Sequence, residues 1–300
     1  MNLKIPNYNF IGKRKIWFTI SLVVIIAGVS GYFIQGGFNF GIDFLGGTMI
    51  EVEFDRDTSI SEIRDVLVDN GHGGSIIQHT EGNKYIVRIK AEEIGKSIEF
   101  DEKTRILNEL DDNIGINPQL LQDRTVNPGF GSVLIRNALI AMAVSLAGIL
   151  IYVWIRFELR FGITAIAALA HDVLVTLGVY AILNREINTS TIAALLTIIG
   201  YSLNDTIVVF DRIRENSPKA KTLGYSDMVN QSVNVTLTRS INTSITTLFP
   251  IILLLILGTT ALKDFALALT IGIISGTYSS IFFASPILVV WNNRFSKYKK

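Results

Sequence analysis

The chain has 300 residues, no cysteine and a formal net charge of +1, with 49% hydrophobic residues, only 18% charged residues and a mean hydropathy of +0.42. Apolar residues in such excess, gathered into long uncharged runs, exclude a soluble globular protein. The missing thiols exclude disulfide scaffolds, cysteine-ligated zinc, iron–sulfur clusters and thiol nucleophiles, which leaves little room for redox chemistry.

The first uncharged run, Ile16 to Ile34, follows Lys13, Arg14 and Lys15. It is longer than the apolar core of a cleaved signal peptide, so it reads as an uncleaved span behind a cytoplasmic N-terminus, and residues 1–35 form the first region. Residues 36–132 then form a polar stretch with 18 Asp and Glu against nine Lys and Arg, a net charge of −9. Within it Gly47 to Phe54 alternates like a strand, and Ser59 to Asn70 has helical spacing with a capping box from Ser59 to Glu62. Ser75 to Thr80 and Lys84 to Lys90 read as strands joined by the hairpin signal Glu81-Gly82-Asn83. Ser97 to Asn113 reads as a second helix and Leu120 to Val126 as a last strand. The order βαββαβ predicts an α+β ferredoxin-like domain, with two helices on one face of a four-stranded sheet.

Residues 133–300 hold five more apolar runs, about Val133 to Ile155, Phe161 to Leu183, Ser190 to Phe210, Ile241 to Gly258 and Phe265 to Trp291. At about 1.5 Å per residue each can cross a hydrocarbon core of about 30 Å. The predicted fold is therefore an all-α membrane bundle of six transmembrane helices, with the α+β domain extracytoplasmic between helices 1 and 2. Lys and Arg cluster before the first span, at Arg156 and Arg160, over a cytoplasmic loop 212–238 and at the basic C-terminus, while the opposite loops carry only Arg185 and Lys263. The positive-inside rule places both termini in the cytoplasm and 36–132 outside.

The three histidines His72, His79 and His171 lack the spacing of a metal site, and neither a GxSxG elbow nor a GxxxxGK[ST] loop is present. No enzyme, metal or cofactor is expected, and any work would draw on an external energy source. The informative residues are ionisable ones at membrane depth, where a carboxylate costs about 2.5–3.5 kcal/mol and is retained for function or pairing. Asp205 lies on the fourth span with Thr197, Tyr201, Asn204 and Asp211 spaced as a polar helix face, about 9 Å inside the end marked by Asp211. The fifth span carries Arg239, Asn242, Thr243, Thr246 and Thr247 on one face below Pro250, a residue that bends helices. Arg239 reaches the depth of Asp205 either to pair with it or as an interfacial flank. His171 and Asp172 on the third span are about 100° apart and are not expected to face one partner; each is a candidate for a proton path or for helix–helix bonding. On the sixth span Ala268, Gly272, Gly276 and Ser280 recur every fourth residue, a helix-packing groove assigned, with the polar faces, to a homologous partner.

Three segments carry a recognisable signature: the run from Phe38 to Gly47 (FNFGIDFLGG), His171-Asp172-Val173, and the block from Gly200 to Asn216 (GYSLNDTIVVFDRIREN). With Thr238-Arg239-Ser240 and Thr246-Thr247 they make the whole chain resemble the SecF side of the SecD/SecF family, within the resistance-nodulation-division superfamily. The resemblance implies a subunit that works with SecD, the SecYEG translocon and YajC on unfolded preproteins in the lipid of the bacterial inner membrane, with no nucleic acid involved. It implies protons as the coupling ion of late translocation, Asp205 and Arg239 as the functional pair, and Gly41, Asp43, Gly46 and Gly47 as the outer motif. The short basic C-terminus, with no seventh span, is expected of SecF alone rather than of a fused SecD–SecF chain. Two other readings are open: a half-transporter exporting small hydrophobic molecules, and a non-transporting membrane scaffold.

Overall fold

The computed structural model describes residues 8–79, 82–90, 100–117, 122–126 and 128–295. The chain divides into two compact units, one of residues Met1–Asn39, Ala141–Arg185 and Ser190–Lys300, the other of Phe40–Ile140 with Glu186–Thr189. Among the described residues six helices are long and apolar enough to cross a membrane, so the protein is a multi-pass membrane protein. The spans are Arg14–Ile34, Pro128–Arg156, Leu159–Ile182, Thr189–Asn216, Tyr225–Leu257 and a sixth that runs from Thr260 to Phe295. The segment 212–238, expected as a loop, is almost wholly helical. Its turn is confined to a 3-10 stretch Ser217–Lys219, a short helix Ala220–Leu223 and Gly224. The fifth helix continues through Pro250. The sixth is interrupted by a π-helical turn over Ser280–Ala284.

In the first unit the first span buries only Ser21, Gly28 and Gly31. These small residues let its backbone lie against the third span: a methyl group on Gly28 would come within 2.6 Å of the Gly178 Cα, and one on Gly31 within 3.1 Å of the Ile182 backbone. Contacts this close are a common way for helices to associate in lipid, where apolar side chains gain little by leaving the tails. Gly28→Leu must therefore push the two spans apart. We expect it to cost about 1–3 kcal/mol, the usual scale of overpacking, and to lower the melting temperature of the purified chain; an unchanged melt would contradict the close approach.

The second unit carries the strands β1 Gly47–Glu53, β2 Ile76–His79, β3 Lys84–Lys90 and β4 Gln122–Val126, and the helices Ile60–Asp69 and Phe100–Asn113. The strands form one antiparallel sheet in the order β2-β3-β1-β4. β1 lies beside β3 with Ile50 opposite Val87 and Val52 opposite Tyr85. Alternation along β1 sends Ile50, Val52 and then Phe54 inward, where Ile63 and Leu67 of one helix and Ile106 and Leu110 of the other complete the core. Ser59 caps its helix by accepting from the Glu62 amide at 3.2 Å, but the Glu62 carboxylate turns to Arg56 instead of closing the box. The expected ends at Thr80, Glu81, Ser97 to Glu99 and Leu120 to Leu121 lie outside the described residues.

Candidate functional site

Asp205 is buried at 8% exposure about three turns from the end of the fourth span. Its carboxylate accepts hydrogen bonds from Ser240 on the fifth span and Ser280 on the sixth, both at 2.6 Å. One oxygen is taken by each. The expected partner, Arg239, is not among these donors. It sits on the exposed side of the fifth span, and its neighbour Ser240 turns inward. Helical spacing fixes which residues share a face but not which neighbour that face meets, and here the hydroxyl, one position on, points to the acid.

Asp172 on the third span is wholly buried. One carboxylate oxygen accepts from Ser275 at 2.7 Å and lies 3.0 Å from the His171 Nδ1; the other accepts from Ser202 at 2.6 Å and Ser279 at 2.7 Å. Three serine donors and the His171 ring thus surround it from the third, fourth and sixth spans. His171 also faces the sixth span, stacking on Tyr278 at 5.9 Å and leaning on Phe283 at 4.8 Å. The two neighbours therefore do address one helix, contrary to the 100° argument, because the sixth span presents serines to one and aromatic rings to the other. His171 lines a cavity of about 300 Å3 with Ser21, Ser275 and Tyr278.

The other polar residues expected from the sequence are not gathered into this centre. Thr197 and Asn204 of the fourth span, with Asn242, Thr243 and Thr246 of the fifth, are exposed in this chain, and Tyr201 is half-buried. Gly272 and Gly276 do make a packing groove, but the chain's own fourth span fills it: a methyl on Gly276 would meet Ser202 at 2.9 Å, and one on Gly272 would strike Ile198. A partner subunit is not needed there. Ser202 and Ser240 stand in the sequence only as members of signature segments, with no role of their own, and Ser275 and Ser279 belong to no motif. The available signal was the spacing of four between Ser275 and Ser279, which puts two hydroxyls on one face.

The glycine-rich run is built separately, in the second unit. Gly46 and Gly47 have φ of 75° and 144°, a stretch of backbone that only glycine enters freely, and a side chain on Gly47 would strike the Ile89 carbonyl. Here the chain turns from the short helix Ile42–Leu45 into β1. The same turn grips residues 186–189, which lead into the fourth span. The Gly41 amide donates to the Ile187 carbonyl at 2.8 Å, and the Asp43 carboxylate accepts from the Thr189 amide at 2.9 Å. Glu186 forms a buried ion pair with Arg88 of β3 and leaves no room for a side chain at Gly41. Asp43 caps a helix end. Asp43→Ala should cost about 1 kcal/mol, the usual worth of an N-cap, read as faster amide exchange over residues 189–192; unchanged exchange would contradict the capping role.

Residues 106–294 match the family description "Protein export membrane protein SecD/SecF, C-terminal", and residues 32–58 match the SecD/SecF GG motif. The chain is 38% identical to the protein translocase subunit SecF of Petrotoga mobilis, over 98% of this chain and 99% of that protein. It is 40% identical to the protein translocase subunit SecDF of Thermus thermophilus over 96% of this chain, and it spans only 39% of that longer relative. The crystal structure of the Thermus thermophilus SecDF, described as a translocon-associated membrane protein, superposes with a TM-score of 0.85 at 38% identity, covering 98% of this chain and 40% of the other. A second structure, of SecDF in a super-membrane-facing form, gives 0.72.

Proposed function

From its membership in the SecD/SecF family of protein export membrane proteins, we propose that this chain is a SecF-type subunit of the Sec machinery that, with a SecD partner, couples proton flow to late steps of preprotein export. The observation that carries the proton reading is the pair of acids at membrane depth, each caged by serine hydroxyls. A hydroxyl donates to a carboxylate and accepts from a carboxylic acid, so the same cage serves both protonation states. A guanidinium, which only donates, would serve one. A proton crossing the membrane carries about 2.3 kcal/mol per 100 mV, enough to bias an element whose two arrangements differ by a few kcal/mol.

On this reading Asp205 is the principal proton carrier, with Asp172 and His171 beside it. Asn204, Tyr201 and Arg239 belong to the polar face that meets SecD. Polar groups exposed along two spans are expensive against lipid, which favours a homologous half covering them. SecYEG, YajC and unfolded preproteins are the further partners. The inner membrane is the location, with both termini cytoplasmic. Arg156, Asp211 and Arg214 cluster at one end of the bundle, within 3.3 Å of one another in turn, which suits a single basic cytoplasmic face. The sheet order β2-β3-β1-β4, with a helix after β1 and another after β3, supports reading this unit as ferredoxin-like, and we assign it to the periplasmic side.

A second reading, export of small hydrophobic molecules, draws on one observation, an apolar cavity of about 670 Å3 lined by Trp17, Leu237, Ile241, Ile274 and Phe282 among others. Membrane vesicles depleted of this chain separate the two. Adding it back should restore the preprotein import that an imposed proton gradient supports in inverted vesicles, and should leave the efflux of apolar dyes unchanged. Restored dye efflux without restored protein movement would favour the second reading.

A further inference from the structure

Ser279 and Ser280 are consecutive residues, yet they serve different acids on different helices. Ser279 donates to Asp172 of the third span at 2.7 Å, and Ser280 donates to Asp205 of the fourth at 2.6 Å. Each hydroxyl also has a second acceptor in reach on its own helix, the Gly276 carbonyl for Ser279 at 3.2 Å and the Thr277 carbonyl for Ser280 at 3.1 Å. The π-helical turn begins at Ser280, and Ser285 donates to the Ser280 carbonyl at 3.0 Å. π turns are rare, appear mostly as single turns inside α-helices, and are frequent at functional sites. A serine that bonds its own helix three or four residues back bends that helix.

We propose that Ser279 and Ser280 are positioning residues that couple the two buried acids through the π turn of the sixth span, so that a proton held at one changes the affinity of the other. The inference rests on the proton reading above. When a proton from water binds the Asp205 oxygen that faces Ser280, the new O–H becomes the donor and the Ser280 oxygen the acceptor. The Ser280 hydrogen then turns to the Thr277 carbonyl. No proton is lost or gained in this exchange beyond the one that arrived. The turn of the helix that holds Ser280 also holds Ser279, and its adjustment loosens or tightens one of the serine bonds on Asp172. Among the described residues the ionisable groups around the two acids are few. His171 and Tyr278 flank Asp172 from the third and sixth spans, and the first span adds only the Ser21 hydroxyl to that side. Near Asp205 the fourth span carries the half-buried Tyr201 and Asp211, and Arg239 of the fifth span lies on the exposed side.

The test is infrared difference spectroscopy of the full chain in lipid vesicles during a pH titration. The carbonyl band of each protonated acid is identified by its loss in Asp205→Asn and in Asp172→Asn. Ser279→Ala removes a hydroxyl that does not touch Asp205, yet it should shift the midpoint of the Asp205 band by about fivefold in proton affinity, the lower end of usual coupling between sites. Ser280→Ala should shift the Asp172 band reciprocally. Ser279→Thr, which keeps the hydroxyl, should restore the parental midpoint and so separate coupling from general damage. Midpoints that move only for the acid directly touched would overturn the coupling and leave the proton reading intact. If neither acid shows a titrating band, the proton reading falls and the coupling with it.

Discussion

Replacing Asp205 by Asn should leave insertion and abundance unchanged and abolish the part of preprotein export that depends on the proton gradient. Asparagine keeps the size of the side chain, and its carbonyl still accepts from Ser240 or Ser280. The variant retains most of the packing and loses the titratable carboxylate proposed to carry the proton. A tenfold or greater fall in gradient-dependent export, with ATP-driven export retained, is the expected result, about 1.4 kcal/mol or more of lost coupling. Asp205→Asn that exports at the parental rate would leave the buried acid as a structural hydrogen-bonding group, the scaffold reading. Arg239→Gln should not rescue or worsen insertion of Asp205→Asn, because the two side chains are not paired in this chain.

Much of this centre can be read in the sequence, and the reasons differ by residue. The spans announce themselves because an uncharged run of twenty residues has few other uses, and Asp172 and Asp205 stand out because charge inside such a run is expensive. Serine carries no such signal. Its hydropathy is neutral, it is tolerated anywhere in a membrane helix, and only the tertiary arrangement shows that Ser240 and Ser280 converge on one acid while Ser202, Ser275 and Ser279 converge on the other. Spacing leaves Arg239 open between pairing with Asp205 and an interfacial flank, for the complementary reason that periodicity cannot show which way its face turns, and in this structure it lies on the exposed side. Gly272 and Gly276 were legible as a groove but not as the seat of the chain's own fourth span. Gly28 and Gly178 were missed, although single glycines in apolar runs are the usual mark of close helix approach. The π turn at Ser280 has no sequence signature at all, and the turn of segment 212–238 is shorter than its polar composition suggested.

The second large effect is expected in the other unit. The ion pair between Arg88 and Glu186 has both side chains only 10% exposed, and it ties β3 to the segment 186–189. Removing one partner strands the other charge in a site with little water, which typically costs about 3–5 kcal/mol. Glu186→Gln in the full chain should therefore melt this unit at lower denaturant and accelerate amide exchange in β3, with the exchange of the first unit's core unchanged. Replacing both, Arg88→Met with Glu186→Leu, removes the stranded charge and should recover most of the loss, since an apolar pair of similar volume is often as stable as a buried ion pair. A single variant as stable as the parent would mean that water screens the pair, and would contradict the buried geometry.

The central claim is that protons pass through the acids of this chain while preproteins move. It is tested most directly by reconstituting the chain with its SecD partner and the translocon in vesicles loaded with a pH-sensitive dye, and following lumenal pH as preprotein export begins. Proton movement that starts with export, and that is lost in Asp205→Asn, is the predicted result. Export that proceeds at the full gradient-stimulated rate with no proton movement above that of vesicles lacking the chain would contradict it.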